Sequence, residues 1–246
     1  MSSTTLTSPA TGFAAIYRLQ LRLLVTVGRL ITLGALGALA VVLGAVLGRS
    51  TYTTGAEAAL DIVGDYGLIL VVPIVSLVFA TSALGDLREE GTLVYLWLRP
   101  LAHWVLVAAS WAATVTIALP LTVLPLALAA LAAGAPGRIV WAAVGATALG
   151  VCTYSAVFLA LGLRAKRALM WGLLYVFIWE GFVASASESS AQLAIRAYTR
   201  SALSAGSNRV LDLAVIGPPW YVVVPLMVTV VGLGYALRRV RRQDVP

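Results

Sequence analysis

The spacing of the charges constrains this chain more than any other feature. They sit in clusters, and between the clusters run uncharged apolar stretches close to the ~20 residues a helix needs to cross the hydrocarbon of a bilayer. Only 11% of the 246 residues are charged and 61% are hydrophobic, where an ordinary soluble domain carries roughly 25% charged residues. A soluble core cannot account for that distribution, so the bilayer is the solvent. In lipid every backbone amide must be bonded internally, and continuous runs rather than ~10-residue alternating ones select helices over a β-barrel.

The predicted fold class is therefore an all-α polytopic membrane protein with six transmembrane helices, over about 30–48, 66–85, 103–131, 139–163, 168–185 and 219–237. The third carries Pro120 and Pro125 and is expected to kink or break toward its outer end. Residues 1–12 are Ser/Thr-rich and read as a disordered tail, leaving 13–246 as a single transmembrane domain. No cleavable signal pattern is visible in the first 29 residues, where Arg18, Arg22 and Arg29 are spread along the segment.

At 100° per residue, Arg18, Arg22 and Arg29 fall within ~40° of one another, with Phe13, Ile16, Leu23, Leu24 and Val27 pointing the other way. Residues 13–29 thus read as an interfacial helix, arginines toward headgroups and leucines in the acyl boundary. With the N-terminus inside, most of the sixteen arginines and the single Lys166 flank the inner ends of the spans, while Arg49 and Arg138 stand in short outer loops. The positive-inside rule then places both termini in the cytoplasm. The outer segment 186–217 also holds Arg196, Arg200 and Arg209, which weakens the rule without reversing it. That segment is too polar to span and too apolar to be a free loop, and reads as short helices resting on or dipping into the outer leaflet.

Between the second and third spans lies Asp86-Leu87-Arg88-Glu89-Glu90-Gly91-Thr92-Leu93-Val94-Tyr95-Leu96-Trp97-Leu98-Arg99-Pro100. Acids early, apolar residues after Thr92 and a stop before Pro100 predict a short amphipathic helix. Leu93, Leu96 and Trp97 make an apolar stripe at i, i+3 and i+4 that needs either a protein groove or the membrane surface. On composition alone the membrane surface is the readier partner.

The Glu-Glu-Gly-Thr-Leu-x-x-Leu-x-x-Arg-Pro motif of residues 89–100, the amphipathic N-terminal helix, six spans and an outer helical excursion before the last span together resemble an ABC transporter permease of the type-2 (ABC-2) class. The resemblance covers nearly the whole chain in architecture and rests in sequence on Glu89 to Pro100. It implies that 86–100 is a coupling helix docked on an ATP-binding subunit through Asp86, Glu89, Glu90, Gly91, Thr92, Leu93, Leu96, Trp97, Arg99 and Pro100. It implies equally that 13–29, with Arg18, Arg22 and Arg29, is the elbow helix beside it. The motif turns the preference for the stripe from lipid to protein. A second permease subunit, in a homodimer or heterodimer, would complete the pathway, and export of a hydrophobic or amphipathic substrate such as a lipid, glycan-lipid, drug or peptide is the direction most of that class takes.

The chain itself cannot bind nucleotide in a phosphate loop, because its one lysine stands in Arg164-Ala165-Lys166-Arg167, without the Gly before and Ser/Thr after that such a loop requires. No cofactor is expected on this chain. ATP and Mg would belong to the partner ATPase, and this subunit would not be an enzyme. One histidine, His103, and one cysteine, Cys152, supply neither a metal site nor a nucleophile–base pair. The net charge of +7 speaks to topology and anionic headgroups rather than nucleic acid. The Arg-over-Lys, Ala-rich bias is that of a high-GC bacterial genome, which points to a bacterial plasma membrane. A stand-alone channel or an immunity-type membrane binding protein, needing no ATPase, is the alternative.

Glu180 is the one acid well inside a predicted span. It reads either as part of an outer gate or translocation path, or as a structural carboxylate paired with the overlying helices through Arg196, Arg200 or Arg209, the second being favoured because intramembrane charges are usually paired.

Overall fold

The computed structural model describes residues 9–51, 53–89, 102–183, 188–209, 211 and 216–242. Those residues form helices and connecting turns, with no strand among them. In chain order the helices are α1 (Pro9–Leu24), α2 (Val27–Leu47), α3 (Gly55–Asp61), a π-helical stretch Ile62–Val71, α4 (Val72–Glu89), α5 (His103–Ala132), α6 (Gly137–Arg164), α7 (Ala168–Leu174), a second π-helical stretch Tyr175–Val183, α8 (Glu188–Ala191), α9 (Ile195–Ser207) and α10 (Trp220–Arg242). Among the described residues five helices are long and apolar enough to cross a membrane: α2, the continuous rod Gly55–Gly85, α5, α6 and α10.

The centre of the bundle is α6, which packs against α4, α5, α9 and α10. It runs parallel to α4, with Gly150 facing Val72 and Gly162 facing Thr81 and Gly85. Small residues let the backbones close up, as expected where lipid supplies no hydrophobic drive between helices. The Gly44-x-x-x-Gly48 pair works in the same way within this chain: a Cβ at Gly44 would stand 2.3 Å from the Ala129 carbonyl oxygen, and one at Gly48 2.4 Å from Ala133 Cα. Polar side chains tie the helices further. Tyr66 Oη donates to the Leu36 carbonyl at 2.9 Å, and Trp111 Nε1 to the Cys152 carbonyl at 3.2 Å.

Outward-facing positions are apolar, including Val27, Ile31 and Val46 on α2, Leu124, Leu128 and Leu131 on α5, and Leu226, Met227 and Val230 on α10. The helices alternate in direction, so one end of the bundle collects α1, Glu89, His103, Arg164, Ala168 and Arg242. The other end collects Leu47, Gly55, Ala132, Gly137 and Ser207. The first of these is the basic end.

Several elements depart from expectation. The N-terminal helix starts at Pro9 and stops at Leu24; Thr26 is extended (φ −118°, ψ 142°) and begins α2, so Arg29 lies in the first turn of α2 rather than on the helix that carries Arg18 and Arg22. Two β-branched residues, Val25 and Thr26, make that break inexpensive. The apolar residues of α1 are divided, Leu19 and Leu23 exposed and others turned into the bundle. Ile16, Gln20 and Leu24 are buried, and Gln20 Nε2 donates to the Ala83 carbonyl (2.9 Å) and Ser110 Oγ (3.2 Å), clamping α1 onto α4 and α5.

The second span begins earlier than residue 66. Thr54 and Glu57 form a capping box, Glu57 N donating to Thr54 Oγ1 (3.3 Å) and Thr54 N to Glu57 Oε2 (3.0 Å), which starts the rod at Gly55. The third predicted span is one unbroken 30-residue helix through Pro120 and Pro125. Gly37 of α2 leaves room for the Pro125 ring, the kind of accommodation by a neighbouring helix that lets proline persist in a membrane helix.

The segment 168–185 differs most. Its described helix has seven α-helical and nine π-helical residues and ends at Val183. At ~1.5 Å per residue it is about 24 Å long, short of the ~30 Å hydrocarbon. The outer segment, expected to rest on or dip into the outer leaflet, has most of α9 buried in the bundle. It runs antiparallel to α6, with Gly206 on Ala142, Thr199 on Gly150, and Arg138 Nε donating to the Gly206 carbonyl at 3.1 Å.

Candidate functional site

The apolar interior is interrupted where α9 meets the two π-helical stretches. A π-helix takes an extra residue per turn and is uncommon outside functional sites. Here each π stretch carries one acid, Asp65 in the first and Glu180 in the second, and each acid faces one arginine of α9. Arg196 and Arg200 are one turn apart, so they leave the same face of α9 at different depths.

The shallower pair is direct. Arg200 Nη1 donates to Asp65 Oδ1 at 2.5 Å, with the Arg200 side chain 6% exposed and that of Asp65 60% exposed. A guanidinium is thus drawn into the bundle wall while its partner carboxylate stands at the surface. Gly64 and Leu203 pack beside it, Gly64 leaving only ordinary van der Waals room to the guanidinium.

The deeper group is almost sealed. Glu180 is 1% exposed and accepts hydrogen bonds from two phenols, Tyr154 Oη on one carboxyl oxygen and Tyr175 Oη on the other at 3.1 Å. Tyr154 stacks on Phe158 at 5.7 Å, and Phe158 meets the Tyr175 ring edge-on at 6.2 Å, so a clasp of aromatic rings fixes both donors. Arg196, 4% exposed, lies within electrostatic reach of the carboxyl group and leaves Nη2 without a hydrogen-bond partner. Burying a carboxyl group in lipid is expensive unless polar neighbours replace its water. Two phenols and a guanidinium do that here.

Tyr154 fixes the depth of the group. It lies ten residues from the Arg164 end of α6 and seventeen from the Gly137 end, about 15 Å and about 25 Å respectively along the axis. Glu180 is therefore near the middle of the bundle rather than in its outer half. The described part of the helix that brings it there from the basic end reaches Val183, three residues later, and α9 runs from that depth toward the other end. Chain direction passes through the polar cluster, with Ile195 next to the carboxyl group.

This arrangement can hold polar and charged groups inside an apolar bundle. Among the described residues no three His, Cys, Asp or Glu side chains gather as for a metal, and the free Cys152 is half-buried.

Of the residues singled out in the sequence, Glu180 takes its hydrogen bonds from Tyr154 and Tyr175 with Arg196 within electrostatic reach, and Arg200 pairs with Asp65. Asp65 went unnoticed because the span was started at Tyr66; the Thr54-x-x-Glu57 capping box was the signal that the helix began further back and enclosed it. Tyr154 and Tyr175 carried no signal of their own, since an aromatic residue in an apolar run reads as core. Arg18 and Arg22 are exposed on α1, and Arg29 is half-buried and lines a small cavity together with Val78 and Thr81 of α4. Asp86 and Glu89 belong to the last turns of α4, their side chains undescribed; Glu90, Gly91, Thr92, Leu93, Leu96, Trp97, Arg99 and Pro100 lie outside the described residues. Set against known proteins, the chain matches no family model and no curated protein.

Proposed function

We propose that this chain is the membrane-spanning permease subunit of an ATP-driven ABC transporter of the type-2 class, exporting a hydrophobic or amphipathic substrate by alternating access. In this reading the chain crosses a bacterial plasma membrane six times with both termini in the cytoplasm. The fifth crossing is discontinuous, made of Ala168–Val183 from the cytoplasmic side and α9 from the outside. Broken helices of this kind place backbone and charge at the midplane, where transport proteins put their working groups.

The observation that carries the reading is the motif Glu89 to Pro100 in its place. It joins the basic ends of α4 and α5, the two helices that α1 grips through Gln20. A partner ATPase holding 86–100 would pull on α4, α5 and α1 as one unit. The rod α3–α4 would carry that displacement to Asp65, and so to the α9 clasp. Glu180 and Arg196 then belong to the gate rather than to the substrate pocket. ATP and Mg act on the partner, and a second permease subunit completes the pathway.

Affinity purification of the full chain from its native membrane tests this. A co-purifying ATP-binding subunit of ~30 kDa, lost when Glu89, Glu90 and Leu93 are replaced together, is the expected result. A wild-type chain that retains no such subunit would support the stand-alone channel or binding-protein reading instead.

A further inference from the structure

Along the basic end, between α6, the α7 helix with its π extension, and α10, runs a groove of about 760 Å³. Its back wall is the fully buried Phe158 ring together with Tyr175, and its sides are Trp171, Trp179 and Ile178. Trp171, Leu174 and Ile178 are about half exposed and continue without interruption into the apolar outer face of the bundle. The groove therefore opens sideways, toward lipid. At its mouth stands Arg164, the last residue of α6, whose Nη1 is held by Tyr235 Oη of α10 at 2.9 Å. Arg238 follows one turn beyond Tyr235 and is exposed.

We infer that this groove binds one phospholipid with an anionic headgroup, its phosphate at Arg164 and one acyl chain lying against Phe158 and Tyr175. Three observations select that occupant. From Val157 to Arg164 the wall runs seven residues, about 10 Å along the helix, parallel to the direction in which acyl chains lie. The lining is apolar and aromatic along that whole depth, which a free phosphate or a soluble anion would not use. The one charge is cationic and sits at the headgroup level of the basic end, orientated by a tyrosine whose body is apolar and whose tip is polar. The inference goes beyond the permease reading and does not depend on it, since it requires only that the bundle span a membrane. It adds a link to the polar cluster: Tyr175 forms part of the groove and donates to Glu180, so an occupied groove packs directly on one of the two phenols that hold the buried carboxyl group.

The test uses the full chain in nanodiscs of phosphatidylcholine with a minor fraction of phosphatidylglycerol, brominating the acyl chains of one lipid at a time. Tryptophan quenching is read as the difference between wild type and the Trp171→Phe/Trp179→Phe double variant, which isolates the two groove residues. One guanidinium at an anionic headgroup corresponds to about fivefold local enrichment, so at equal mole fraction the groove component should be quenched about fivefold more by brominated phosphatidylglycerol. Arg164→Ala should abolish that preference, Arg164→Lys should keep it, and Tyr235→Phe, which leaves the charge in place, should keep most of it. Equal quenching by the two lipids in the wild type, or a preference that survives Arg164→Ala in folded protein, overturns the inference. No quenching by either lipid overturns it too, and would mean that protein, such as a second copy of this chain, covers the groove.

Discussion

Replacing Glu180 by alanine should be among the most damaging single changes available in this chain. The substitution removes the acceptor for both Tyr154 Oη and Tyr175 Oη and the counter-charge nearest Arg196, while Tyr154 and Arg196 stay buried and Tyr175 partly so. An orphaned buried donor costs ~1–3 kcal/mol, and the two phenols lose their partner together, so a destabilisation of about 3 kcal/mol is expected before any contribution from Arg196. Glu180→Gln is the informative control. Its amide oxygen still accepts from one phenol and its NH₂ group can donate to the other phenol's oxygen, leaving only that hydroxyl's own hydrogen without an acceptor, so it should fall about midway. Equilibrium unfolding of the detergent-solubilised chain by titrated denaturing detergent reads both. Pairing Glu180→Ala with Arg196→Met, which removes the buried charge and keeps the volume, should be less damaging than the sum of the two single changes. The reasoning fails if Glu180→Ala unfolds within about 0.5 kcal/mol of the wild type, the range of an ordinary surface substitution.

Other contacts make their own predictions. Gly172→Ala would set a Cβ 2.1 Å from Leu77 Cδ1, so α7 must move off α4 or Leu77 must change rotamer; a loss of ~1–3 kcal/mol is expected in the same unfolding titration. Gly44→Ala should cost at least as much, because the obstacle is the Ala129 backbone rather than a flexible side chain. Gln20→Ala should loosen α1 by ~1 kcal/mol and speed proteolysis at Val25–Thr26, measured as the rate of N-terminal clipping in nanodiscs; an unchanged rate would mean the hydrogen bonds to Ala83 and Ser110 do not hold the helix. Asp65→Asn should leave α9 less protected, read as faster alkylation of a Ser204→Cys reporter, and adding Arg200→Gln should bring part of that protection back.

Helix existence was legible wherever an apolar run was long, because the bilayer permits few other solutions. Both the five long helices and the basic end follow from hydropathy and arginine placement. What escaped was governed by contacts between segments distant in sequence. The start of the second rod is decided by Thr54 and Glu57, a local capping signal that lies outside the uncharged apolar run. The fate of α9 was not local at all. The sequence offered Arg196, Arg200 and Arg209 alike as partners for Glu180 without choosing among them; the acids 16 and 135 positions upstream of Arg196 and Arg200 make the burial of those two tolerable. The π-helical stretches leave no mark that periodicity can detect, because an apolar run has no polar face to reveal a changed pitch. The same blindness hid the aromatic clasp, since Tyr154, Phe158 and Tyr175 share an apolar neighbourhood with dozens of residues that do nothing but fill space.

The changed pitch of Ile62–Val71 has a consequence for how this chain tolerates length changes. Shortening or lengthening that stretch by a single residue turns everything above it by about 100° around the rod axis. Asp65 would then point away from Arg200, and the capped first turn at Gly55 would leave the Ala133 backbone it now touches, while α4 below would remain in register with α6. Most helices of a membrane bundle forgive such an edit near a loop; this one should not. Its extra residue per turn acts as a phase adjustment between an upper half aligned with α9 and a lower half aligned with α6.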